Sequence, residues 1–396
     1  MKCKVTNKEI KKFMTFGKMP IANGFLKSSE FDSEFFFEME VGFNENLGLF
    51  QLNDHPKPEK MFNDNYPFFT GSSEYMKKHF RNYANFIKKD YLKTNSKIIE
   101  IGSNDGTFLK NFIDNKNYIF GFEPSTNVAE IAKQNGIPTI NKFFNTENII
   151  TLKNFKNQTD VISASNVICH IPDLNELIKT LDILLSQDGT FIFEEPYIGS
   201  MFDKVSYDQI YDEHIFIFSA TAIKNIFNLF DFDLIDALPQ ITHGGSMRYI
   251  IKRRNKSPLS SNLKKILDNE KKNNLDNLSS CLKFKTNCEA SKKNITDRIY
   301  KIKKDGKTIC GYAATSKSTT ILNYCGINSN HIDYICDTTK EKIGKFSPGM
   351  HIPIKDMNFF YKNQPDSIYL FAWNHKDEIL NKEKNFKGEW FSHVSL

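Results

Sequence analysis

The chain has 396 residues, of which 40% are hydrophobic, 25% charged and 13% aromatic. This globular composition excludes a disordered tail protein and a disulfide-stabilised miniprotein, and the length allows two or three domains with their own cores. The formal net charge is +6, but only five of the 53 basic residues are arginine, the usual base-reading residue, so we expect no nucleic-acid partner.

The ends of the chain and its cysteines indicate a compartment. No apolar run is long enough to span a membrane, and the segment after Met1 lacks the apolar stretch of a signal peptide. The seven cysteines are scattered without a pairing pattern, as is typical of a reducing environment. We therefore expect a cytoplasmic monomer with no membrane partner.

The N-terminal part of the chain, residues 1–75, has little long-range periodicity. Short aromatic runs such as Phe35–Phe37 alternate with turn-forming clusters around Pro20 and Pro56. This pattern predicts a small β-rich lobe.

Residues 76–254 show strands and helices in alternation. The apolar spacing predicts helices over 74–91 and 128–134, a helical run from Phe108, and strands over 97–101, 118–122, 161–164 and 190–193. Such alternation is typical of an α/β domain with a largely parallel sheet.

A polar stretch separates this domain from a second α/β pattern in residues 255–396. Leucine or isoleucine recurs every three or four places over 255–305, which predicts connecting helices with one solvated face. Apolar strands follow at 308–312, 332–336 and 367–371. We expect a C-terminal α/β domain.

The most informative segment is the glycine-rich turn that follows the strand at 97–101. Glycines allow close backbone approach to a ligand, and an acid ending the next strand can bind both hydroxyls of a ribose. A dinucleotide would require Gly-x-Gly-x-x-Gly, which is absent, and an ordinary strand-to-helix turn is the simpler alternative. The glycine-rich turn and the acids beside it together favour S-adenosylmethionine (SAM) as the cofactor. We place its contacts at Glu100, Gly102, Asn104, Asp105, Gly106, Glu123 and Asn166.

A polar loop follows the fourth strand of this domain, where a SAM enzyme faces its substrate. Asn166 and His170 are four residues apart, so a helical turn would place them on one face. His170 taken alone is equally well explained as a capping or packing residue.

A second polar cluster, Tyr207–His214, lies inside an apolar region. Histidine and tyrosine can move protons near neutral pH, and a carboxylate beside a histidine can raise its basicity. Asp212 and Glu213 are also explained as acids at a helix start. Tyr211 and His214 are harder to explain in that way.

Taken together, these motifs resemble the sugar C-methyltransferases of deoxysugar pathways, and the resemblance extends over almost the whole chain. The matching segments are Pro20–Phe25 (PIANGF), Glu100–Gly106 (EIGSNDG), Asn166–Asp173 (NVICHIPD), Ile210–His214 (IYDEH), Thr242–Arg248 (THGGSMR), Gly311–Lys317 (GYAATSK), Pro348–Ile354 (PGMHIPI) and Ala372–Asn374 (AWN).

The resemblance implies a class I SAM-methyltransferase domain between a small N-terminal lobe and a second Rossmann-like α/β domain. It implies a nucleotide-diphosphate sugar with a ketone at C4, from which a proton is removed at C3 before methylation. His214 would be the base, in a site lined by Tyr211, Glu213, Asn166 and His170. We place substrate contacts at Tyr66, Phe68, Tyr197, His243, Arg248, Ser316 and Lys317, although Thr315–Thr319 is also explained as a plain helix cap.

The chain departs from the family in its N-terminal lobe. The family's zinc site uses two Cys-x-x-Cys pairs, whereas this chain has Cys3 and Thr6 at the first pair and Asn44 and Leu47 at the second. Only Cys3 of the four thiols remains, so we predict no structural zinc. The aromatic motif near the sugar, usually with two tyrosines, has Tyr66 but Phe68 and Phe69, which leaves one hydroxyl missing.

Three functions remain in competition. The first is C-methylation of a nucleotide-linked keto sugar, in surface-polysaccharide or natural-product sugar biosynthesis. The second is O- or N-methylation of a related nucleotide sugar, which needs no acidic C–H. The third is a degenerate, non-catalytic binder of nucleotide sugars, suggested by the lost zinc ligands.

Overall fold

The computed structural model describes residues 1–64 and 66–396, without the side chains of residues 114 and 115. The strands are, in chain order, β1 (Lys11–Pro20), β2 (Phe36–Asn44), β3 (Leu49–Leu52), β4 (Lys97–Ile101), β5 (Tyr118–Phe122), β6 (Thr139–Ile140), β7 (Thr159–Ser165), β8 (Leu185–Pro196), β9 (Phe216–Ile217), β10 (Phe232–Gln240), β11 (Ser246–Arg253), β12 (Ile309–Tyr312), β13 (Tyr334–Cys336), β14 (Ile354–Lys355), β15 (Ser367–Leu370) and β16 (Glu389–Phe391).

The α-helices connect and cover these strands. They are α1 (Pro58–Met61), α2 (Glu74–Asp90), α3 (Thr126–Gln134), α4 (Leu174–Leu184), α5 (Ile198–Lys204), α6 (Ala220–Asn228), α7 (Ser261–Lys272), α8 (Leu278–Lys304), α9 (Ser316–Cys325), α10 (Met357–Lys362) and α11 (Lys376–Lys382). Among the helices described, none has the length and apolar character needed to cross a bilayer.

The central sheet has the strand order β10-β11-β8-β7-β4-β5-β6. Strands β4 to β8 run parallel, whereas β11 is antiparallel to both of its neighbours. The order reverses between β4 and β7, and ligands of open α/β sheets bind at the carboxyl ends of strands at such a reversal. This arrangement confirms the predicted fold class.

The C-terminal sheet is wholly parallel, in the order β14-β13-β12-β15-β16. It has its own reversal of strand order, between β12 and β15. Helices α7 and α8 precede it, in the stretch where the sequence predicted connecting helices. The chain therefore carries two sheets of the kind that binds ligands at its strand ends.

The N-terminal lobe is the antiparallel sheet β1-β2-β3-β9. Its apolar face shares one core with α8 and the C-terminal sheet, in which Phe13 and Phe50 belong to the same buried cluster as Phe284 and Ile309. Strand β9 begins two residues after His214, so the lobe and this histidine are held together.

One predicted element differs in type. The helical run expected from Phe108 is a 3-10 helix, Leu109–Asn115. Asn111 Nδ2 donates to the carbonyls of Thr107 and Phe108, at 3.1 and 2.9 Å. Such side-chain bonds to the local backbone compete with the α-helical ladder, which explains the tighter winding.

Candidate active site

One cavity of about 950 Å³ lies where the two parallel sheets present their carboxyl ends to each other. The central domain lines it with the glycine-rich turn, the loop after β7 and the segment that carries Tyr211 and His214. The C-terminal domain lines it with residues 315–317, 338–342 and 374–375. Both reversals of strand order therefore open into one space, which gives two ligands a place to meet.

The glycine-rich turn has the backbone shape that the sequence suggested. Gly102 has a φ of 65°, and a Cβ atom there would lie 2.3 Å from Val167 Cγ2. Asn104 has a φ of 49°, a conformation that asparagine tolerates better than most residues. Only glycine fits at position 102, because both the backbone and the packing against Val167 exclude a side chain.

Two buried carboxylates face the cavity beside this turn. Glu123 accepts from the backbone N–H groups of Ser125 and Asn104, at 2.8 and 3.1 Å. Glu100 leaves Oε2 without a hydrogen-bond partner among the described residues. Burial raises the pKa of both groups, and Asp105 adds to the rise in the pKa of Glu100.

Two predicted cofactor residues do not line the cavity. Asp105 accepts from Gly71 N at 2.7 Å and from Thr107 Oγ1 at 2.6 Å, so its carboxylate joins two loops. A Cβ atom on Gly106 would lie 2.6 Å from Ile137, so this glycine allows close packing. Both residues support the turn on the side away from the cavity. The prediction that they contact a cofactor is corrected accordingly.

The aromatic segment Tyr66–Phe69 closes the cavity over the glycine-rich turn. Asn104 holds it by accepting from Thr70 N at 2.9 Å and donating to Phe68 O at 3.1 Å. Tyr66 lies inside, and burial, together with the charge of Glu213, raises its pKa well above the usual value. Phe68 is 48% exposed and lies at the cavity mouth.

Tyr211 and His214 form a hydrogen-bonded pair in the cavity wall. His214 Nδ1 is 2.7 Å from the carbonyl of Gln209, which can only accept, so Nδ1 carries the proton. Nε2 is then the acceptor for the Tyr211 hydroxyl, 2.7 Å away. Burial and the neighbouring His170 hold the pKa of His214 well below its usual range, so the imidazole is neutral with its lone pair directed at Tyr211.

His170 lies between two aromatic rings. Its ring centroid is 5.5 Å from that of Phe62 and 5.4 Å from that of His214, with an interplanar angle of 21° in both pairs. Its Nε2 is buried and has no hydrogen-bond partner in the described part of the chain. Burial lowers the pKa of His170 to about 3, so this nitrogen meets a ligand as a neutral group.

The loop that carries Asn166 is not the helical turn expected from the sequence. Asn166 has a φ of 55°, and only a 3-10 turn follows, at Ile168–His170. Asn166 Nδ2 donates to His243 Nε2 at 3.0 Å. This bond holds His243, a predicted substrate residue, in the cavity wall. Asn166 Oδ1 is buried without a partner among the residues described.

A residue missed by the sequence analysis, Glu195, holds this loop. Its Oε1 accepts from the backbone N–H groups of Val167, Ile168 and Cys169, at 2.9, 2.6 and 3.3 Å. These bonds lower the pKa of Glu195 but do not offset the effect of its burial. The only sequence signal was its position at the end of an apolar strand.

Glu195 should make stability depend on pH. Burial raises its pKa to about 7, so the stability that it contributes is present in acid and is lost as the pH rises through 7. We expect the melting temperature of the wild type to fall more steeply between pH 5.5 and pH 8 than that of Glu195→Gln. Glu176→Gln is the control, because Thr146 lowers the pKa of that group and its titration lies below this range. Parallel curves for wild type and Glu195→Gln would contradict the expectation.

The acids beside His214 point in different directions. Asp212 accepts from Ala22 N at 3.0 Å, away from the cavity. Glu213 lines the cavity and accepts from Asn23 Nδ2 at 2.6 Å. Burial raises the pKa values of both carboxyls, and the charge of Asp212 adds to the rise in the pKa of Glu213. Asn23 therefore connects the N-terminal lobe to the site.

The C-terminal domain contributes Ser316 and Lys317, at the start of α9. Thr315 caps this helix by accepting from Ser318 N, so the cap predicted as the simpler alternative is present. Ser316 Oγ donates to Asn23 Oδ1 at 3.1 Å. Lys317 Nζ is buried and has no hydrogen-bond partner in the described structure, although it lines the cavity.

Tyr197 and Arg248 do not line the cavity. Arg248 Nε donates to Glu194 at 2.7 Å, and its guanidinium lies 4.0 Å from the centroid of the Tyr83 ring. Burial raises the pKa of Tyr197, and the hydrogen bond of its hydroxyl with Glu270 adds to the rise. The prediction of substrate contact by these two residues is corrected, because each is already paired inside the protein.

One group in the described structure has the composition of a metal site: Cys169, His170 and His214 have ligand atoms within 4.8 Å of one another. Both nitrogens of His214 are already engaged, by Gln209 and Tyr211. Burial raises the pKa of Cys169 well above its usual value, so the thiol stays protonated. The donor set therefore does not suit a metal ion.

Comparisons with known proteins bear on this site. Three family models match consecutive parts of the chain: a putative zinc binding domain (residues 3–62), a methyltransferase domain (73–237) and a C-methyltransferase C-terminal domain (241–394). C-methyltransferase NovU of Streptomyces niveus is 26% identical over 381 residues, which are 94% of this chain and 89% of the relative. The chain is a SAM-dependent methyltransferase, similar over almost its whole length to a C-methyltransferase.

The other similarities of this methyltransferase are more limited. An uncharacterized methyltransferase of Bacillus pumilus is 25% identical over 128 residues, which are 32% of this chain and 59% of the relative. Among solved structures, the PH0226 protein of Pyrococcus horikoshii aligns with a TM-score of 0.39 and 13% identity, over 47% of this chain and 95% of that one. A TM-score this low has no bearing on function.

The match to a putative zinc binding domain requires a test against the residues present in this methyltransferase. Asn44 Oδ1 accepts from the backbone N–H groups of Asn46 and Leu47, at 3.0 and 3.2 Å. Gln51 accepts from Lys4 N and donates to Lys2 O, both at 3.0 Å. Amide side chains thus hold the two turns that thiolates hold elsewhere, and the described residues of the lobe do not fit a tetrahedral zinc ion.

Proposed function

We propose that the chain methylates carbon 3 of a nucleotide-linked 4-keto-6-deoxysugar, in the biosynthesis of a surface-polysaccharide or natural-product sugar. The observation that carries the proposal is the shared cavity, in which the Tyr211–His214 pair lies between the strand ends of two ligand-binding sheets. The similarity to C-methyltransferase NovU supports the reaction type.

The residues of the central domain fit SAM. Glu100 Oε2, which no described residue hydrogen-bonds, and the buried carboxylate of Glu123 offer acceptors, and the turn at Gly102 leaves room for close approach. When bound, SAM supplies the methyl group as an electrophile. The role of the chain is then to hold the acceptor carbon near the methyl group and to remove its proton.

We assign the proton transfer to His214. The Tyr211 hydroxyl, now 2.7 Å from Nε2, turns to the C4 ketone oxygen of the substrate and frees the lone pair of His214. The C3 proton moves to Nε2, and the carbonyl of Gln209 stabilises the resulting imidazolium through Nδ1–H. The C–H electron pair moves into the enolate, whose oxygen Tyr211 stabilises.

The C-terminal domain would hold the nucleotide diphosphate. Lys317 carries into the cavity an ammonium with no hydrogen-bond partner among the described residues. Ser316 lies beside it in the first turn of α9, where backbone dipoles favour anions. Lys340 and Lys342 line the same wall. The positive potential of this wall suits a doubly charged ligand.

A substrate screen tests the proposal. Purified protein is incubated with SAM carrying a ¹³C-labelled methyl group and a panel of nucleotide-linked sugars, with and without a 4-keto group. We expect a labelled methyl group bonded to carbon, only with the keto sugars. A methyl signal at the chemical shift of an O- or N-methyl group would replace the proposal with the second function, and SAM binding without transfer to any sugar would favour the third.

The N-terminal lobe is proposed to fold without zinc. Two observations support this: the side-chain amides of Asn44 and Gln51 hydrogen-bond to the two turns, and Cys3 is the one thiol that remains there. We expect elemental analysis of the purified protein to find far less than one zinc per chain, and a strong chelator to leave the melting temperature unchanged. One equivalent of zinc that resists dialysis would contradict the proposal.

A further inference from the structure

Lys317 has a buried ammonium that no hydrogen bond satisfies in the described structure. Its Nζ lies 5.0 Å from the ring centroid of Trp373 and faces the cavity. Burial lowers the pKa of Lys317, and the carboxylate of Asp208 opposes that effect. A buried charge is costly unless another group balances it, so the source of that balance determines whether the lysine reaches a ligand as a cation.

Asp208 is placed to supply the balance. Trp373 Nε1 donates to Asp208 Oδ2 at 2.6 Å, and the two residues are fully or almost fully buried. Donation to a carboxylate makes the indole more electron-rich, which strengthens the attraction of its face for a cation. Asp208 therefore acts on Lys317 both through its own charge and through the ring.

The same carboxylate connects two parts of the molecule. Its Oδ1 lies 3.1 Å from Nε2 of His393, near the chain end, and His393 Nδ1 is 3.1 Å from the Tyr369 hydroxyl. Asp208 immediately precedes Gln209, whose carbonyl orients His214. Asp208 thus lies between His214 of the central domain and Lys317 of the C-terminal domain.

We propose that Asp208 is a positioning residue that, together with Trp373, keeps Lys317 charged and directed into the cavity to bind an anionic group of the substrate. This rests on the proposed function only in requiring that the substrate carries such a group. Asp208 itself lies outside the cavity lining and acts through Lys317.

Other charged groups around Lys317 set the pH range. The charge of Lys204 lowers the pKa of Lys317. Burial lowers the pKa values of His214, His243 and His375, and the charge of Lys317 lowers them further. These histidines are neutral above pH 7, so they do not titrate in alkali. Burial also lowers the pKa of Lys342, which lines the same cavity, so an alkaline loss of substrate binding is assigned to Lys317 only where it responds to substitution of Asp208.

Asp208→Asn is the test, because it keeps the shape of the side chain and removes the charge. We expect the KM for the nucleotide sugar to rise by about 10- to 100-fold, with kcat changed much less. We also expect the alkaline limit of kcat/KM to move to lower pH by about one unit or more. Calorimetric binding of inorganic pyrophosphate should weaken in parallel, whereas SAM affinity should stay unchanged.

Three further variants separate positioning from structure. Asp203→Asn removes an exposed carboxylate from α5 and should behave as wild type. Trp373→Phe keeps a ring but loses the donor to Asp208, and should show a weaker form of the same alkaline shift. Asp208→Glu retains the charge and should restore the alkaline limit, even if Asp208→Asn folds poorly.

Two results would overturn the inference. The first is Asp208→Asn with wild-type KM and an unmoved alkaline limit, in a wild-type enzyme that does methylate a nucleotide sugar. That outcome leaves the proposed function standing. The second is wild-type protein that binds neither pyrophosphate nor any nucleotide sugar, which overturns the proposed function as well.

Discussion

Replacing His214 with alanine is expected to lower the rate of methyl transfer by about 10²- to 10⁴-fold, the usual contribution of a positioned general base. The structure gives the reason: Nδ1–H is fixed by the carbonyl of Gln209, and Nε2 carries the lone pair that becomes the base once the Tyr211 hydroxyl turns to the substrate. Single-turnover assays should show the loss in the chemical step. SAM affinity should not change, because the carboxylates expected to hold SAM lie elsewhere, Glu100 in β4 and Glu123 directly after β5.

Two variants accompany this experiment. Tyr211→Phe keeps the ring but removes the hydroxyl, and should also cripple turnover while leaving SAM affinity intact. His331→Ala is the matched control, because in the described structure the His331 side chain bonds within its own turn, to Asn328. Wild-type turnover in His214→Ala would rule out its role as the base.

Replacing Glu123 with glutamine is expected to weaken SAM binding by about 10- to 100-fold, since hydrogen bonds to a charged group contribute about 1.5–3 kcal/mol. The carboxylate already accepts from the N–H groups of Ser125 and Asn104, which orients it toward the cavity. Titration calorimetry with SAM measures the change directly. KM for SAM should rise by a similar factor, while kcat at saturating SAM falls less.

The control for Glu123 is another carboxylate nearby on the chain. Glu130 lies exposed on α3 and contacts Lys133 one turn away. Glu130→Gln should leave SAM affinity at the wild-type value. Equal affinities for wild type and Glu123→Gln would show that this acid does not contact SAM, and the assignment of the SAM end of the cavity would fail.

Local patterns in the sequence were sufficient for the ligand-binding turn and its strands. The predicted strands at 97–101 and 118–122 have the same bounds as β4 and β5. Each is a short apolar run ended by a glycine or an acid, so its limits depend on neighbouring residues alone. The fold class followed from the alternation of such elements and is confirmed.

The predictions that needed correction depended on distant contacts. Arg248 pairs with Glu194 on the neighbouring strand, 54 residues away, and its distance from the cavity follows from that register. Successive residues of a strand point to opposite faces, so Glu194 meets Arg248 while Glu195 holds the loop after β7. No local sequence pattern shows which face of a strand is directed toward the cavity.

The bond between Asp208 and Trp373 joins residues 165 positions apart. The sequence drew attention to the polar cluster that contains Asp208, and to Trp373 within a matching motif. It gave no sign that these two groups meet, because their contact exists only when the C-terminal domain packs against the central one. The same is true of Asn23, which reaches Glu213 from the N-terminal lobe.

Proton exchange at carbon 3 tests the central claim most directly. The enzyme is incubated in D₂O with a nucleotide-linked 4-keto-6-deoxysugar and without SAM, and the C3 signal is followed by NMR. We expect wild-type protein to replace the C3 proton with deuterium faster than solvent does, and His214→Ala to exchange it no faster than solvent. Methyl transfer to the sugar with no enzyme-dependent exchange, or equal exchange by His214→Ala, would contradict deprotonation by His214.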